Sequence, residues 1–176
     1  MRIYLAGPDV FLPNAIEVGE IKKEICDRYG FIGCYPFDNE IKAESKTPSE
    51  IGFLISKANE ELIKTCDIVV ANLTPFRSPS ADAGTVYEIG FGKALGKKCY
   101  GYSNTNILFR ERVKGYFNTK ADVDSNRMSI ENFGLVDNLM IDGGIKDSGG
   151  FIVCEDIGGV FDDFFVFEKC ISLIKF

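Results

Sequence analysis

The chain has 176 residues, of which 45% are hydrophobic and 26% are charged, as in an ordinary globular domain. This length predicts one domain spanning residues 1–176 with a core of its own. The net charge of -6 disfavours a nucleic-acid partner, because polyanions bind to basic surfaces. No apolar run reaches the roughly 18 residues that span a bilayer, and Met1 leads directly into a strand pattern. We therefore expect a cytoplasmic protein without a signal peptide or membrane contact.

Histidine is absent from the sequence. This excludes Ser-His-Asp and Cys-His catalysis, histidine zinc sites and an imidazole general base. The six cysteines are far apart and form no C-x-x-C pair, which predicts buried free thiols rather than a metal site. We expect neither a metal nor a cofactor. Because histidine is absent, any nucleophile or acid–base group must be Asp, Glu, Tyr, Lys or Cys.

The first part of the chain alternates between strand and helix patterns. RIYLA (2–6) is a short apolar run ended by Gly7-Pro8, which predicts a buried strand and a turn. Isoleucines at helical spacing predict a helix from about residue 14 to 29, with Gly30 as its C-cap. FIGCYP (31–36) then predicts a second strand.

The alternation continues through the middle of the chain. Thr47-Pro48-Ser49-Glu50 is a capping box, which predicts a helix to about Thr65. DIVVANL (67–73) is a continuous apolar run that predicts a strand buried on both faces. A helix over about 83–96 and a strand over 97–102 follow. This pattern predicts an α/β, Rossmann-like (flavodoxin-like) three-layer sandwich with a parallel sheet.

The last part of the chain has weaker signals. GLVDNLM (134–140) predicts the start of a short helix, DGGIKDSGG (142–150) a glycine-rich loop, and FIVC (151–154) an edge strand. The terminal FDDFFVFEKCISLIKF (161–176) predicts an amphipathic helix. Four of its side chains are expected to pack inward: Phe161, Phe164, Phe165 and Ile171.

Four polar segments follow the predicted strands. In an open parallel sheet the carboxyl ends of the strands meet at one edge, where ligands bind. We therefore expect these segments to converge: GPDVF, FDNE, LTPFRSPSAD and GYSN. GPDVF lacks the glycines and the lysine of a phosphate loop, so a dinucleotide or triphosphate is disfavoured there.

FRSPSADAGTVYEIG (76–90) holds the two most informative carboxylates, Asp82 and Glu88. One interpretation is structural, with Asp82 as an N-cap and Thr85 to Glu88 as a capping box. The other is chemical, because a carboxylate at a helix start in the expected cleft is the best nucleophile in a chain without histidine. Phe76 and Arg77, which a capping loop does not need, favour the chemical interpretation.

Four segments together resemble the nucleoside 2-deoxyribosyltransferase family. They occur in order between residues 2 and 140: RIYLAGPDVF, FDNE, CDIVVANLTPFRSPSADAGTVYEIG and NLM. The resemblance implies a five-stranded parallel sheet and an enzyme that moves 2-deoxyribose between nucleobases. It also implies a homo-oligomer, built from dimers or assembled as a hexamer, with 2′-deoxynucleosides and free bases as its small-molecule partners.

The resemblance also implies roles for particular residues. Glu88 would attack C1′ of a 2′-deoxynucleoside, and a second base would then take the sugar from the covalent intermediate with retention of configuration. Asp82 would hold the sugar hydroxyls, and Tyr4 would hydrogen-bond Glu88 and orient it. Asn138 of a neighbouring subunit would reach the 5′ end of the sugar.

Further positions are expected near the base. Asn59 stands where some family members have an aspartate that helps to protonate the leaving base, and an amide cannot donate that proton. Asp38 and Arg77 are then candidates near the base, and purines are the favoured bases. Phe11 and Phe76 are expected to stack on the base and exclude water. Two glycines complete the expected substrate-binding set: Gly7 and Gly84.

The implied chemistry suits a carboxylate, since glycosidic bonds break through oxocarbenium-like transition states that a nearby carboxylate stabilises. Because a helix N-terminus favours negative charge, we expect the pKa of Glu88 to be moderately lowered.

Two alternatives remain open. One is a hydrolase of deoxynucleoside 5′-monophosphates, which would need serines and a basic group where this chain has Pro8-Asp9. The other is a non-catalytic nucleotide-sensing module, which has no need of a nucleophile.

Overall fold

The computed structural model describes residues 1–39 and 44–175. Its five strands form one parallel sheet in the order β2-β1-β3-β4-β5. They are β1 (Arg2–Ala6), β2 (Ile32–Cys34), β3 (Ile68–Asn72), β4 (Lys98–Ser103) and β5 (Ile152–Cys154). The α-helices of the described ranges are α1 (Ala15–Arg28), α2 (Pro48–Thr65), α3 (Ala83–Ala94), α4 (Phe109–Tyr116), α5 (Leu139–Asp147) and α6 (Phe165–Leu173). The predicted α/β three-layer fold is confirmed.

The sheet has a hydrophobic core on each face, because side chains alternate along each strand. Ile3 and Leu5 of β1 face a core that includes residues of α1 and α6. Tyr4 and Ala6 face the opposite core, to which α2, α3 and α5 contribute. All five residues of β3 are buried, as its uninterrupted apolar run predicted. None of the described helices is both long and apolar enough to cross a bilayer.

The helix starts show which of the predicted caps form. The box at α2 is confirmed, because Thr47 Oγ1 accepts from the Glu50 N–H and the Glu50 carboxylate accepts from the Thr47 N–H. At α3 the N-cap is Asp82, whose Oδ2 accepts from the Thr85 N–H at 3.0 Å. Thr85 therefore lies inside the helix, and the predicted capping box from Thr85 to Glu88 is wrong.

The glycine-rich stretch 142–150 was predicted as a loop, but most of it is helical. Helix α5 begins at Leu139, later than the predicted start near 134, and ends at Asp147. Ile141 and Ile145, one helical turn apart, are buried against the sheet. This packing outweighs the poor helix propensity of the glycines.

The C-terminal helix begins later than predicted and buries partly different side chains. Helix α6 begins only at Phe165, and that side chain is exposed. Val166 and Phe167 are buried in its place, together with the correctly predicted Ile171. Phe161 and Phe164 are half-buried. Phe176, the last residue of the predicted helix, lies outside the described residues.

Candidate active site

A cavity of about 510 Å³ lies at the carboxyl edge of the sheet. It is bounded by the turn after β1, the segment after β2, helix α2 and the first two turns of α3. Its lining residues are Gly7, Val10, Phe11, Pro36, Phe37, Asn39, Ile55, Asn59, Asp82, Gly84, Thr85 and Glu88. Three of the four predicted segments meet here, but GYSN does not line the cavity, because Ser103 and Asn104 are buried beneath neighbouring segments. Glu40 of FDNE lies outside the described residues.

Glu88 lines this cavity, and Tyr4 is hydrogen-bonded to it from the core. Tyr4 is buried on β1, and its hydroxyl donates to Glu88 Oε1 at 2.5 Å. Burial and the adjacent carboxylate raise the pKa of Tyr4 well above its usual value, so the phenol stays protonated and keeps donating. The bond fixes the orientation of a carboxylate that lines the cavity.

The pKa of Glu88 differs from the sequence expectation. This pKa is raised to about 7 in total: burial raises it most, the hydrogen bond from Tyr4 lowers it, and the nearby carboxylate of Asp82 raises it. The predicted lowering is wrong because Glu88 lies in the second turn of α3, beyond the free N–H groups of the first turn. Near neutral pH this carboxyl can therefore exist in either protonation state.

Asp82 is both a helix cap and a wall of the cavity. Its Oδ2 accepts from the backbone N–H of Thr85 at 3.0 Å and from the Thr85 hydroxyl at 3.2 Å. A Cβ at Gly84 would lie 3.0 Å from the same oxygen. The capping bonds fix the carboxylate next to Glu88, so the structural and the chemical interpretations are compatible.

Phe11 and Phe37 supply aromatic lining. The ring of Phe11 stacks on Phe76 with 5.3 Å between centroids and 9° between planes. The guanidinium carbon of Arg77 lies 5.0 Å from the Phe11 centroid and 4.5 Å from that of Phe76. Neither Phe76 nor Arg77 is part of the lining. They pack against Phe11 from outside the cavity, and their contact with the base stays a prediction.

Asp38 also lies outside the cavity lining. Its carboxylate accepts from Lys23 Nζ of α1 at 2.6 Å and from the backbone N–H of Tyr35 at 2.8 Å. These two bonds hold the side chain in its own turn, and a role of Asp38 near the base stays a prediction.

Two carboxamides occupy the part of the wall between the segment after β2 and α2. Asn39 Nδ2 donates to Asn59 Oδ1 at 3.2 Å and to the carbonyl of Pro36 at 3.2 Å. Asn59 thus lines the cavity, and its place near a bound base stays a prediction. Sequence reasoning missed Asn39, although it belongs to the FDNE segment that was singled out.

Asn138 does not line the cavity of its own chain. Its Oδ1 caps α5 by accepting from the Met140 N–H at 3.0 Å, and its Nδ2 donates to Glu131 at 2.5 Å. Its role in the site of a neighbouring subunit stays a prediction.

A buried polar network supports the turn after β1. Lys22 Nζ lies 2.6 Å from Asp9 Oδ2 and donates to the Tyr102 hydroxyl at 2.8 Å. Asn72 Nδ2 donates to the other oxygen of Asp9 at 2.9 Å. The negative charge of Asp9 is therefore balanced beneath the turn. A Cβ at Gly7 would lie 2.3 Å from Asp9 Oδ2, so only glycine fits there.

Metal-ligand clusters are not found among the described residues. All six cysteines are free, and all but the half-buried Cys154 are buried, which confirms the prediction of free core thiols.

The fold and the site define a class: a Rossmann-like α/β protein with a half-buried carboxylate in a cavity at the carboxyl edge of its sheet. Within that class, the family model for nucleoside 2-deoxyribosyltransferase matches residues 3–140. The chain belongs to the nucleoside 2-deoxyribosyltransferase family. It is accordingly a deoxyribosyl-transferring or glycosidase-type enzyme, and the family implies nucleoside and nucleobase substrates.

The chain is also similar to a curated protein and to a solved structure. The chain is 33% identical over 170 residues to the uncharacterized protein C191.05c of Schizosaccharomyces pombe, covering 87% of this chain and 81% of the relative. The structure of a 2-desoxiribosyltransferase from Leishmania mexicana matches with a TM-score of 0.63 and 28% identity, over 98% of this chain and 97% of that one.

A more distant structure is similar in fold. It is the CMP N-glycosidase BcmB of Clostridium botulinum, with a TM-score of 0.50, 15% identity and coverage of 99% of this chain and 100% of that one.

Proposed function

We propose that the protein transfers 2-deoxyribose from one nucleobase to another through a covalent intermediate on Glu88. The observation that carries the proposal is the Tyr4–Glu88 hydrogen bond, which holds a half-buried carboxylate near Asp82 on the wall of a nucleoside-sized cavity. The family membership of the chain supports the same chemistry.

In the first step, the ionised Glu88 attacks C1′ of a 2′-deoxynucleoside. The C1′–N bond breaks, its electron pair leaves with the base, and an ester forms between C1′ and the carboxylate. The transition state resembles an oxocarbenium ion, which the carboxylate stabilises as in retaining glycosidases. Deoxyribose lacks the electron-withdrawing 2′-hydroxyl, so this cation forms more readily.

In the second step, a ring nitrogen of the incoming base attacks C1′ from the side that the first base vacated. The ester bond breaks, Glu88 regains its electron pair, and the incoming base releases its proton to solvent. Two inversions give retention overall. The aromatic lining from Phe11 and Phe37 limits the access of water, which would otherwise hydrolyse the ester.

Asp82 and Tyr4 support this chemistry from two directions. We assign Asp82 to the sugar hydroxyls, because its capped carboxylate lines the cavity beside Glu88. Tyr4 orients Glu88, and its hydrogen bond favours the ionised form that attacks.

The neutral pair Asn39 and Asn59 favours purines in our proposal. An amide offers hydrogen bonds to the edge of a base but cannot protonate the leaving nitrogen. Purines can take that proton at a ring nitrogen from solvent, so they depend less on an enzyme acid. We assign the reaction to nucleoside salvage.

We further propose that the active protein is a homo-oligomer with shared sites. The sequence around Asn138 resembles the family segment that reaches into a neighbouring subunit. In this chain Asn138 lies away from its own cavity, at the start of α5, which supports a role in the cavity of a partner.

A transfer assay tests the proposal. The protein is incubated with deoxyinosine and adenine, and the products are separated by chromatography. We expect deoxyadenosine and hypoxanthine in equal amounts, and neither with the Glu88→Gln variant. Hypoxanthine and free deoxyribose without a new nucleoside would instead indicate a hydrolase, and unchanged substrates with every base tried would indicate a sensing module.

A further inference from the structure

Arg112 and Asp137 form a buried ion pair outside the cavity that contains Glu88. Arg112 Nη2 lies 2.9 Å from Asp137 Oδ2, and the side chains are 7% and 0% exposed. Neither residue lines that cavity. A buried ion pair is costly to desolvate and contributes little net stability, so its contacts point to another role.

The pair holds the segment that leads into helix α3. The Ser80 hydroxyl donates to Asp137 Oδ1 at 2.5 Å, and the Ala81 N–H donates to Oδ2 at 2.9 Å. Arg112 Nε donates to the carbonyl of Pro79 at 2.8 Å. Three consecutive residues just before the N-cap of α3 are therefore attached to one ion pair.

Asp137 is itself held in place by the start of α5. The carboxylate of Asp142 accepts from the N–H of Val136 at 3.0 Å and from the N–H of Asp137 at 2.8 Å. The Asn138 N–H donates to Asp137 Oδ1 at 2.7 Å. The anchor is thus continuous from α5 to the entrance of α3.

We propose that Asp137 and Arg112 are positioning residues, which set the place of the Asp82 carboxylate in the cavity. The inference rests on the proposed function, in which Asp82 holds the sugar. Asp82 directly follows the anchored Ala81, so a shift of that backbone moves the carboxylate away from the substrate. Displacements of about 1 Å can lower the rate of an enzyme roughly 100-fold.

A double-mutant cycle tests this role. Asp137→Asn is expected to lower kcat/KM for deoxyribosyl transfer about tenfold or more. Combined with Asp82→Asn, it should cause little further loss, because both changes remove the same interaction. Asn59 lies on a different wall of the cavity. The losses of kcat/KM caused by Asp137→Asn and by Asn59→Ala should therefore multiply in the double variant. If Asp137→Asn lowers kcat/KM by the same factor in the Asp82→Asn background as in the Asn59→Ala background, the inference is overturned.

Matched variants separate positioning from general damage. Asp147→Asn makes the same change in an exposed ion pair with Lys93 that joins α3 to α5, and we expect no change in activity. Ser80→Ala removes one anchoring bond while leaving the ion pair intact. It should lower kcat/KM less than Asp137→Asn does, and this loss should also be non-additive with that of Asp82→Asn. If Asp137→Asn does not fold, Ser80→Ala tests the inference instead.

A crystal structure of Asp137→Asn, or of Ser80→Ala if that variant alone folds, decides the inference independently of activity. We expect the Asp82 carboxylate to be displaced while the Tyr4–Glu88 contact stays in place. An unmoved Asp82 would overturn the positioning role even if the wild-type protein transfers deoxyribose. Conversely, a displaced Asp82 in a protein that transfers none would support the anchor and refute the proposed function.

Discussion

At the residue scale, the chemistry depends on a carboxylate that is difficult to ionise. Burial raises the pKa of Glu88 to about 7, and the hydrogen bond from Tyr4 limits that rise. The sequence indicated Glu88, Asp82 and Tyr4 as neighbours through the family resemblance. It gave the wrong direction for the pKa, because desolvation depends on how α3 packs on β1.

Removing the Tyr4 hydroxyl should shift the pH dependence of transfer. The bond favours ionised Glu88, so Tyr4→Phe raises the pKa of the carboxyl, and the acid limb of kcat/KM moves above pH 7. We expect kcat near neutral pH to fall about 10- to 100-fold. Tyr87→Phe is the matched control, because the exposed Tyr87 on the same helix donates to Glu60 instead. An acid limb that stays in place in Tyr4→Phe would contradict this role.

Glu88 should also make stability depend on pH. Its pKa is higher in the folded protein than the usual 4.5, so the stabilising effect of the bound proton is complete below about pH 4.5 and lost as the pH rises through about 7. Glu88→Gln cannot ionise. We compare the free energy of unfolding of this variant with that of the wild type at two pH values. From pH 4.5 to pH 8 the difference should change by about 1–3 kcal/mol in favour of the variant. Urea unfolding at both pH values measures this, and a pH-independent difference would refute it.

At the element scale, the strands and helices with strong local sequence signals were predicted well. The capping box at Thr47 and the apolar run of β3 identified α2 and β3 closely. Helix α5 was predicted to start near residue 134, but its extension through the glycine-rich stretch was missed, because its stability comes from burying Ile141 and Ile145 on the sheet. Tertiary packing decides such elements.

Two glycines of α3 offer a direct test of how that helix packs. A Cβ at Gly92 would lie 2.7 Å from Val69 Cγ2 on β3, whereas a Cβ at Gly90 meets nothing within 4 Å. Gly92→Ala should lower the free energy of unfolding by about 1–3 kcal/mol through overpacking. Gly90→Ala should raise it by about 0.5–1 kcal/mol through better helix propensity. Thermal or urea unfolding measures both, and equal effects would mean that α3 does not lie this close to β3.

At the scale of the whole molecule, the sheet order explains why the site lies where it does. The alternation of strands and helices predicted the edge at which the loops meet. Asn59 of α2 was expected near the base only from the family resemblance, and neither the place of Ile55 in the wall nor the pairing of Arg112 with Asp137 was predicted. These contacts join residues far apart in sequence, and only the three-dimensional packing of the helices brings them together.

A shared site should be detectable by complementation. Glu88→Gln and Asn138→Ala chains are each expected to be inactive alone. Co-expressed in equal amounts as dimers, they should recover about a quarter of wild-type activity, because half of the dimers are mixed and each mixed dimer has one intact site. The mixture must first be shown to contain mixed dimers. If its activity is then no higher than that of the separate variants, Asn138 does not act in the partner's site.

The bond between Glu88 and the anomeric carbon is the central claim, and mass spectrometry of a trapped intermediate measures it directly. A 2′-deoxy-2′-fluoronucleoside slows turnover of the covalent adduct, because fluorine destabilises the oxocarbenium-like transition state. After digestion, we expect a fluorodeoxyribosyl mass on the peptide that contains Glu88, and none in Glu88→Gln. A sugar attached to any other side chain, or continued transfer by Glu88→Gln, would contradict it.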